Sequence, residues 1–449
     1  MFFSANNKSM SENSKIAVLD GVRAFACLSV VIFHISNTSQ NEHILNLEKL
    51  GPIASSFLLA GGSGVTLFFV LSGFLLFMPY AKALLFDKPW PKAGEFYLKR
   101  VLRIIPGYYV ALLVIVLLQQ QQYLQPAHWK ELGLFLTFLM DATPATYQKL
   151  SGPFWTLAIE WQFYMLLPLL ALAFRGIVLR IPRQKRWLAL VGCLVGMLLW
   201  GVATRFWGAY YIANPTETLL VSRPALQVIL FFVYGMAGKF LEDFAVGMLL
   251  SMLFVLSRQA SSNHPLSKCL GRASQWLWGL GLLWLSFLAL WHFHNWFRLS
   301  MLFFSPVDTF YTPLSELLLA LGFGLCIAAL LFGSDYLRKP LEWRPMRWIG
   351  SISYSMYIWH LTILILYFQY VLKPLLEKGI NHSILYGLFL LYIPLLVLPF
   401  SYIMYVIVES PGIRLSAALY KKKVQPQEPL VMEAAEVTPQ QEVVTGRRW

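Results

Sequence analysis

The feature that most constrains this chain is a succession of continuous apolar runs, each close to the length that crosses a bilayer. They lie near residues 21–37, 57–78, 100–120, 153–174, 186–207, 241–257, 275–293, 313–333, 347–371 and 383–408. A helix needs about 20 apolar residues to traverse the hydrocarbon core. Within lipid only helices and closed barrels satisfy every backbone N–H and C=O, and these runs lack the two-residue alternation of barrel strands. The pattern therefore predicts an all-α integral membrane protein, a bundle of about ten transmembrane helices. The scarcity of charge agrees, since 13% of the 449 residues are charged and 57% are hydrophobic, against about 25% charged in soluble domains. A disordered chain and an ordinary water-soluble enzyme are both excluded.

Charge placement sets the topology. The net charge of +14 comes from 36 Lys and Arg against 22 Asp and Glu. The basic residues cluster between apolar runs, at Lys82, Lys88, Lys92 and Lys99, at Arg175, Arg180, Arg183, Lys185 and Arg186, and at Arg338, Lys339, Arg344 and Arg347. Such clusters mark cytoplasmic loops, so the excess reports orientation and no nucleic-acid partner is expected. Two further stretches need a decision. The one at 128–141 is too short to span and reads as re-entrant or interfacial, whereas 219–238 is long enough. If either alone crossed, the later basic loops would face outward; both are therefore expected as non-crossing elements on the outer side, with N- and C-termini cytoplasmic. The first 15 residues lack the basic segment, short apolar core and small-residue cleavage site of a signal peptide, so the first run is expected as a retained span. Residues 16–414 then form the membrane domain, preceded by a cytoplasmic segment, 1–15, and followed by a disordered cytoplasmic tail, 415–449. The four cysteines have no paired or metal-like spacing, so neither disulfides nor a metal site is expected.

Ionisable side chains inside spans cost about 2.5–3.5 kcal/mol on insertion scales and point by default to the bundle interior and to function. Asp20 and Arg23 open the first run and His34 lies deeper in it. Eleven residues advance a helix by about 16 Å with about 20° of net rotation, so Arg23 and His34 share one face. His34 is a candidate general base because imidazole exchanges protons near neutrality; alternatively Arg23 snorkels to the interface and His34 hydrogen-bonds a neighbouring helix. Arg100 and Arg103, three residues apart at the start of the third run, present paired guanidiniums suited to phosphate, or simply mark a cytoplasmic helix end. Glu160 lies two turns inside the fourth run and calls for an arginine or histidine partner across the bundle, in a catalytic or a structural pair. His360 is a second proton carrier or a packing histidine, and Glu409 reads as a structural carboxylate pairing with basic loops. Gly61-Gly62-Ser63-Gly64 permits close backbone approach to a substrate, or a turn, without the context of a phosphate-binding loop.

Six motifs occur in order: Leu19-Asp20-Gly21-Val22-Arg23-Ala24 with His34, Leu67 through Phe74, Arg100 with Arg103, Phe154 through Glu160 with Gln162-Phe163-Tyr164, Ser353 through His360, and Val408-Glu409-Ser410-Pro411. Together they resemble the bacterial acyltransferase 3 family of integral-membrane O-acyltransferases, over about Lys15 to Arg414, in a stand-alone form without a fused SGNH domain. The resemblance implies a ten-helix bundle in the inner membrane that moves an acyl group, commonly acetyl, from cytoplasmic acyl-CoA to a hydroxyl of a glycan or lipid-linked acceptor, with no bound cofactor. It assigns His34, Arg23 and Glu160 to catalysis and Arg100 and Arg103 to acyl-CoA binding, with Asp20, Tyr357 and His360 as accessory positions. In that scheme Arg23 holds the donor or orients His34, and Glu160 fixes the protonation state of His34 or bonds the acceptor hydroxyl. Trp161 stands where many members have a second acidic residue, and Ser410 where a basic one is common. The competing reading is a proton-coupled transporter or flippase, whose intramembrane Arg, His and Glu form a relay.

Overall fold

A computed structural model describes residues 2–218, 221–259, 265–297 and 304–424. Among them there are helices and no strands. In chain order the α-helices are α1 (Phe2–Asn41), α2 (Pro52–Ala60), α3 (Gly64–Phe86), α4 (Ala93–Leu118), α5 (Trp129–Leu136), α6 (Phe154–Val178), α7 (Arg186–Ala213), α8 (Arg223–Val233) and α9 (Leu241–Gln259). They continue with α10 (Pro265–Phe297), α11 (Tyr311–Phe332), α12 (Asp335–Glu342), α13 (Arg344–Ser351), α14 (Ser353–Tyr367), α15 (Lys373–Glu377), α16 (His382–Tyr392), α17 (Leu398–Met404) and α18 (Ser410–Val424). Pro52 and Pro224 stand in the first turns of α2 and α8, where a missing N–H costs nothing. One-turn π segments at 368–372, 393–397 and 405–409 join α14 to α15, α16 to α17 and α17 to α18, while the chain turns at 378–381 between α15 and α16.

Among the described residues nine helical segments are long and apolar enough to cross a membrane: Ala17–Asn41, Pro52–Phe86, Ala93–Leu118, Phe154–Val178, Arg183–Ala213, Leu266–Phe297, Pro306–Phe332, Ser353–Glu377 and His382–Leu419. The tenth expected run is α9, whose 19 residues reach about 28 Å. It carries Glu242, Asp243 and Arg258, and tolerates them because it is enclosed by α3, α7 and α11. Small residues allow that enclosure. A Cβ on Gly73 would stand 2.3 Å from the Phe244 carbonyl oxygen, and one on Gly247 2.0 Å from that of Val70, so the α3 and α9 backbones touch where only glycine fits. The Glu242 carboxylate in turn receives Arg205 of α7, through Nε at 2.8 Å and Nη2 at 2.5 Å.

Two stretches expected not to cross hold only short helices, and three other expectations are corrected in detail. The stretch 128–141 contains α5, eight residues and about 12 Å, and 219–238 contains α8, eleven residues and about 16 Å, so neither helix reaches across; residues 219 and 220 lie outside the described residues. The run 347–371 breaks at Ile352, where α13 ends, and the spanning segment begins at Ser353. The expected disordered tail starts as helix, since α18 runs to Val424, while 425–449 lie outside the described residues. Finally, α4 begins at Ala93, so Arg100 and Arg103 lie two to three turns into it and not at its opening.

The glycine cluster at 61–64 has a structural explanation. A Cβ on Gly61 would lie 2.3 Å from the Ser29 carbonyl oxygen, and one on Gly64 2.4 Å from that of Ala26. The backbone between α2 and α3 therefore abuts α1, which brings α3 against the helix that bears Arg23 and His34.

Candidate functional site

Two cavities lie end to end through the bundle, and they divide the singled-out residues between them. The first, about 90 Å³, is lined by Arg23 of α1, Ser72 of α3, Arg100 and Arg103 of α4, Glu160 and Tyr164 of α6 and Tyr354 of α14. The second, about 970 Å³, is lined by His34 of α1 together with residues from beyond the far end of α4, including Gln119 and Gln120. Val65, Thr156 and Tyr357 line both cavities. The Thr156 and Tyr357 hydroxyls, 2.7 Å apart, thus stand at the boundary. Because α1 is continuous, Arg23 and His34 keep the expected offset of about 16 Å along one helix, each at a different cavity.

The arginine cavity is a built polar site in an apolar bundle. Arg23 Nη1 donates to Asp20 Oδ1 at 3.1 Å, one helical turn earlier, which gives the accessory Asp20 a positioning contact. Glu160 accepts from Ser72 Oγ at 2.6 Å and from the Tyr164 hydroxyl. The Arg100 guanidinium lies over the Tyr164 ring, 5.8 Å from its centroid, and its buried Nε has no hydrogen-bond partner among the described residues. Three guanidiniums face one cavity here. Asp20 engages one of them, and the Glu160 carboxylate is already committed to two hydroxyls. The arrangement retains positive charge and free N–H donors, which suits a phosphate-bearing ligand.

Partner assignments depart from expectation at Glu160. Its donors are the Ser72 and Tyr164 hydroxyls, not an arginine or histidine, and it lines a different cavity from His34. Glu160 therefore does not set the protonation state of His34 by contact. Arg23 likewise engages Asp20 and not His34. Glu409, expected to pair with basic loops, accepts instead from Ser355 Oγ of α14 at 3.0 Å, tying that helix to the last span.

His34 is oriented by another histidine. Its Nδ1 lies 2.9 Å from the Val30 carbonyl oxygen and 3.3 Å from His360 Nε2. His360 Nδ1 lies 2.8 Å from the Tyr357 carbonyl oxygen and 3.2 Å from that of Met356. A carbonyl only accepts, so each Nδ1 carries the hydrogen. His360 Nε2 is then an acceptor, and His34 Nδ1–H is shared between it and Val30. His34 Nε2 is left with its lone pair free, on a residue that lines the large cavity. The second histidine is thus brought against the first, while Tyr357 stands between the two cavities.

Sequence reasoning passed over Ser72 and Tyr164 as individual contacts, although both lie in the motifs, and missed Glu316, Thr66 and the Arg205–Glu242 pair. A signal existed for three of these: Arg205, Glu242 and Glu316 are ionisable residues within apolar runs, near their ends.

With this geometry in place, the comparisons with known proteins are decisive on one point. The model of the acyltransferase 3 family, an acyltransferase domain, matches residues 16–408. The chain belongs to that family. Among individual relatives, it is 25% identical over 367 residues to the Bacillus subtilis protein named "Putative peptidoglycan O-acetyltransferase YrhL", covering 78% of this chain and 48% of that one. It is 25% identical over 367 residues to the peptidoglycan O-acetyltransferase OatA of Listeria monocytogenes, covering 78% and 49%. The chain therefore spans about half the length of these curated relatives. No solved structure matches it.

Proposed function

We propose that this family member is an acyl-CoA-dependent O-acyltransferase of the cytoplasmic membrane. It transfers an acyl group, in the first instance acetyl, to a hydroxyl of a glycan or other carbohydrate-containing acceptor. The observation that carries this reading is the junction of two unlike cavities: a guanidinium-lined one that fits the phosphates of CoA, and a larger one where His34 Nε2 is free to accept a proton. The relatives' names, both peptidoglycan O-acetyltransferases, support acetyl and a glycan. The placement of the basic loops supports a cytoplasmic side for the arginine cavity and for both termini.

In this scheme Arg100, Arg103 and Arg23 hold the phosphates, and the pantetheine arm carries the thioester toward Thr156 and Tyr357. His34 Nε2 removes the acceptor hydroxyl proton as the oxygen attacks the thioester carbon. The new C–O bond forms, the C–S bond breaks, and the departing CoA thiolate takes the proton back from His34. A thioester is already activated, so positioning and one base supply what the reaction needs. The test uses the purified chain in detergent with radiolabelled acetyl-CoA and peptidoglycan fragments. The wild type is expected to label the glycan and release CoA, and His34→Ala to do neither while keeping its melting temperature and acetyl-CoA binding. Label transfer by His34→Ala at wild-type rate would remove the base assignment, and a wild type that neither binds nor cleaves acetyl-CoA would remove the enzyme reading in favour of transport.

A further inference from the structure

The large cavity contains a carboxylate that belongs to none of the sequence motifs. Glu316, on the second turn of α11, lines it together with His34. Thr66 Oγ1, 2% exposed on α3, donates to Glu316 Oε2 at 2.6 Å. Glu316 Oε1 accepts no hydrogen bond among the described residues, so one oxygen is anchored and the other is available. Two indoles line the same space. Trp155 is braced by Phe240 and Tyr147, each with ring centroids 5.5 Å away, and Trp296 stands edge-on to Phe33 at 6.2 Å. The side-chain amides of Gln148 and Gln369 line the same space, among further polar groups that include Asn37, Lys149 and His292.

We propose that Glu316, with Trp155 and Trp296, forms a subsite for an uncharged or amine-bearing saccharide, and that this saccharide is the acyl acceptor. The inference rests on the acyltransferase reading above and adds which residues hold the acceptor and what charge it has. A pyranose presents a face of C–H groups and a rim of hydroxyls. Flat aromatic faces cover the first, and a carboxylate and amides accept from and donate to the second. A volume of about 970 Å³ lies at the upper end of ligand pockets and accommodates more than one sugar ring. Charge differs between the two cavities: Arg23, Arg100 and Arg103 with Glu160 line the first, and Lys149 with Glu316 the second. The anionic donor is favoured where the cations are in excess, and a hydroxyl-rich or ammonium-bearing partner can pair with the Glu316 carboxylate beside His34.

The experiment measures binding apart from turnover. The full chain in detergent is titrated with the trisaccharide of N-acetylglucosamine by saturation-transfer NMR, and with radiolabelled acetyl-CoA by filtration. The wild type is expected to bind both. Glu316→Ala weakens trisaccharide binding by about tenfold or more, the size of a hydrogen bond to a charged group, and leaves acetyl-CoA binding within about twofold. Glu316→Gln, which keeps shape and one acceptor, falls between. Trp296→Ala, at the rim and 42% exposed, decides the matter if the Glu316 variants do not fold, and is expected to lose the saturation of the sugar C–H protons. The subsite is overturned if the wild type binds acetyl-CoA but not the trisaccharide, or if the folded variants bind the trisaccharide as the wild type does. Loss of acetyl-CoA binding in the wild type is a different failure and strikes the acyltransferase reading itself.

Discussion

Replacing His360 separates a residue that positions the proposed base from one that is itself a base. His360 is fully buried, and its Nε2 accepts from His34 Nδ1–H at 3.3 Å, while Val30 O accepts the same hydrogen at 2.9 Å. Removing His360 therefore leaves the His34 tautomer in place, held by the shorter bond. What is lost is a second acceptor facing the imidazolium that forms when His34 takes the acceptor proton. A hydrogen bond to a charged group contributes about 1.5–3 kcal/mol. At 3.3 Å the lower end applies, which converts to about a tenfold fall in kcat. Removing a general base costs about 10²–10⁴-fold. His360→Leu, close to histidine in volume, is thus expected to reduce kcat about tenfold with KM for acetyl-CoA unchanged. His360→Gln, which can again present an acceptor, recovers part of the loss, and His34→Ala falls at least tenfold below His360→Leu. The assay is transfer of radiolabelled acetyl to peptidoglycan fragments, with melting temperatures as the control for folding. A folded His360→Leu as inactive as His34→Ala would refute the positioning argument and put His360 in the proton path. A His360→Leu indistinguishable from wild type would show that Val30 alone orients His34.

Other expectations follow from the same contacts. Arg100→Gln with Arg103→Gln is expected to raise KM for acetyl-CoA about 10- to 100-fold with a smaller change in kcat, because charge-assisted contacts to phosphate are lost equally in ground and transition states; an unchanged dependence on acetyl-CoA concentration removes the phosphate assignment. Arg205→Met strands the 1%-exposed Glu242 carboxylate and should destabilise by about 3–5 kcal/mol, with Arg205→Met/Glu242→Leu recovering most of it in thermal melts; equal melting of single and double variants counts against the pair. Asp87 follows α3 and accepts from Arg186 Nη1 at 2.6 Å, a bond that holds its carboxyl below the usual carboxylate range. Its contribution is present above the unfolded carboxylate pKa of about 3.9 and is lost as pH falls through the lowered folded value, so any difference in melting between Asp87→Asn and wild type should be small at pH 7, as for an exposed pair, and absent in strong acid. Initial rates with both substrates varied should give intersecting lines, since separate cavities let donor and acceptor be bound together; parallel lines would point to an acylated protein intermediate.

The spans were legible because lipid leaves a chain few options, and apolar length reports directly on the helices that fill a bilayer. The errors fell where length and composition no longer decide geometry. Trp348 and Ile349 extend an apolar run by composition, yet α13 ends at Ser351 because the chain turns there, with Gly350 placed so closely that a Cβ would stand 1.9 Å from the Asp20 carbonyl oxygen. That contact depends on α1, more than 300 residues earlier, and no local pattern encodes it. For the site, Arg23, Arg100, Arg103 and Glu160 stood out because charge inside lipid is costly, and the structure gathers all four at one cavity. Their partners did not stand out. Tyr164 lies one turn beyond Glu160 on α6, a spacing already present in the sequence, whereas Ser72 is an ordinary residue in a membrane helix until the packing of α3 against α6 brings it to Glu160. Glu316 and the Arg205–Glu242 pair lay near the ends of their runs, where a charge is cheap and so carries a weaker signal.

The division of charge between the two cavities constrains any mechanism more than the identity of a single residue does. A flexible anionic donor and a hydroxyl-rich acceptor that shared one mouth would compete for the same guanidiniums and amides, and the site would have to discriminate by shape alone. Here three arginines with Glu160 lie at one cavity, and the Thr66-anchored Glu316 with Lys149 at the other, so in the proposed scheme the excess of cations favours the anionic donor at the first cavity alone. Among the described residues the groups common to both are Val65, Thr156 and Tyr357. Two of these offer neutral hydroxyls bonded to each other, which neither attract phosphate nor bind a sugar strongly. Such a junction can pass a thioester end while giving the CoA phosphates no reason to follow it. His34, fixed by Val30 and His360 just beyond that junction, is the first basic group the thioester would meet in the proposed path.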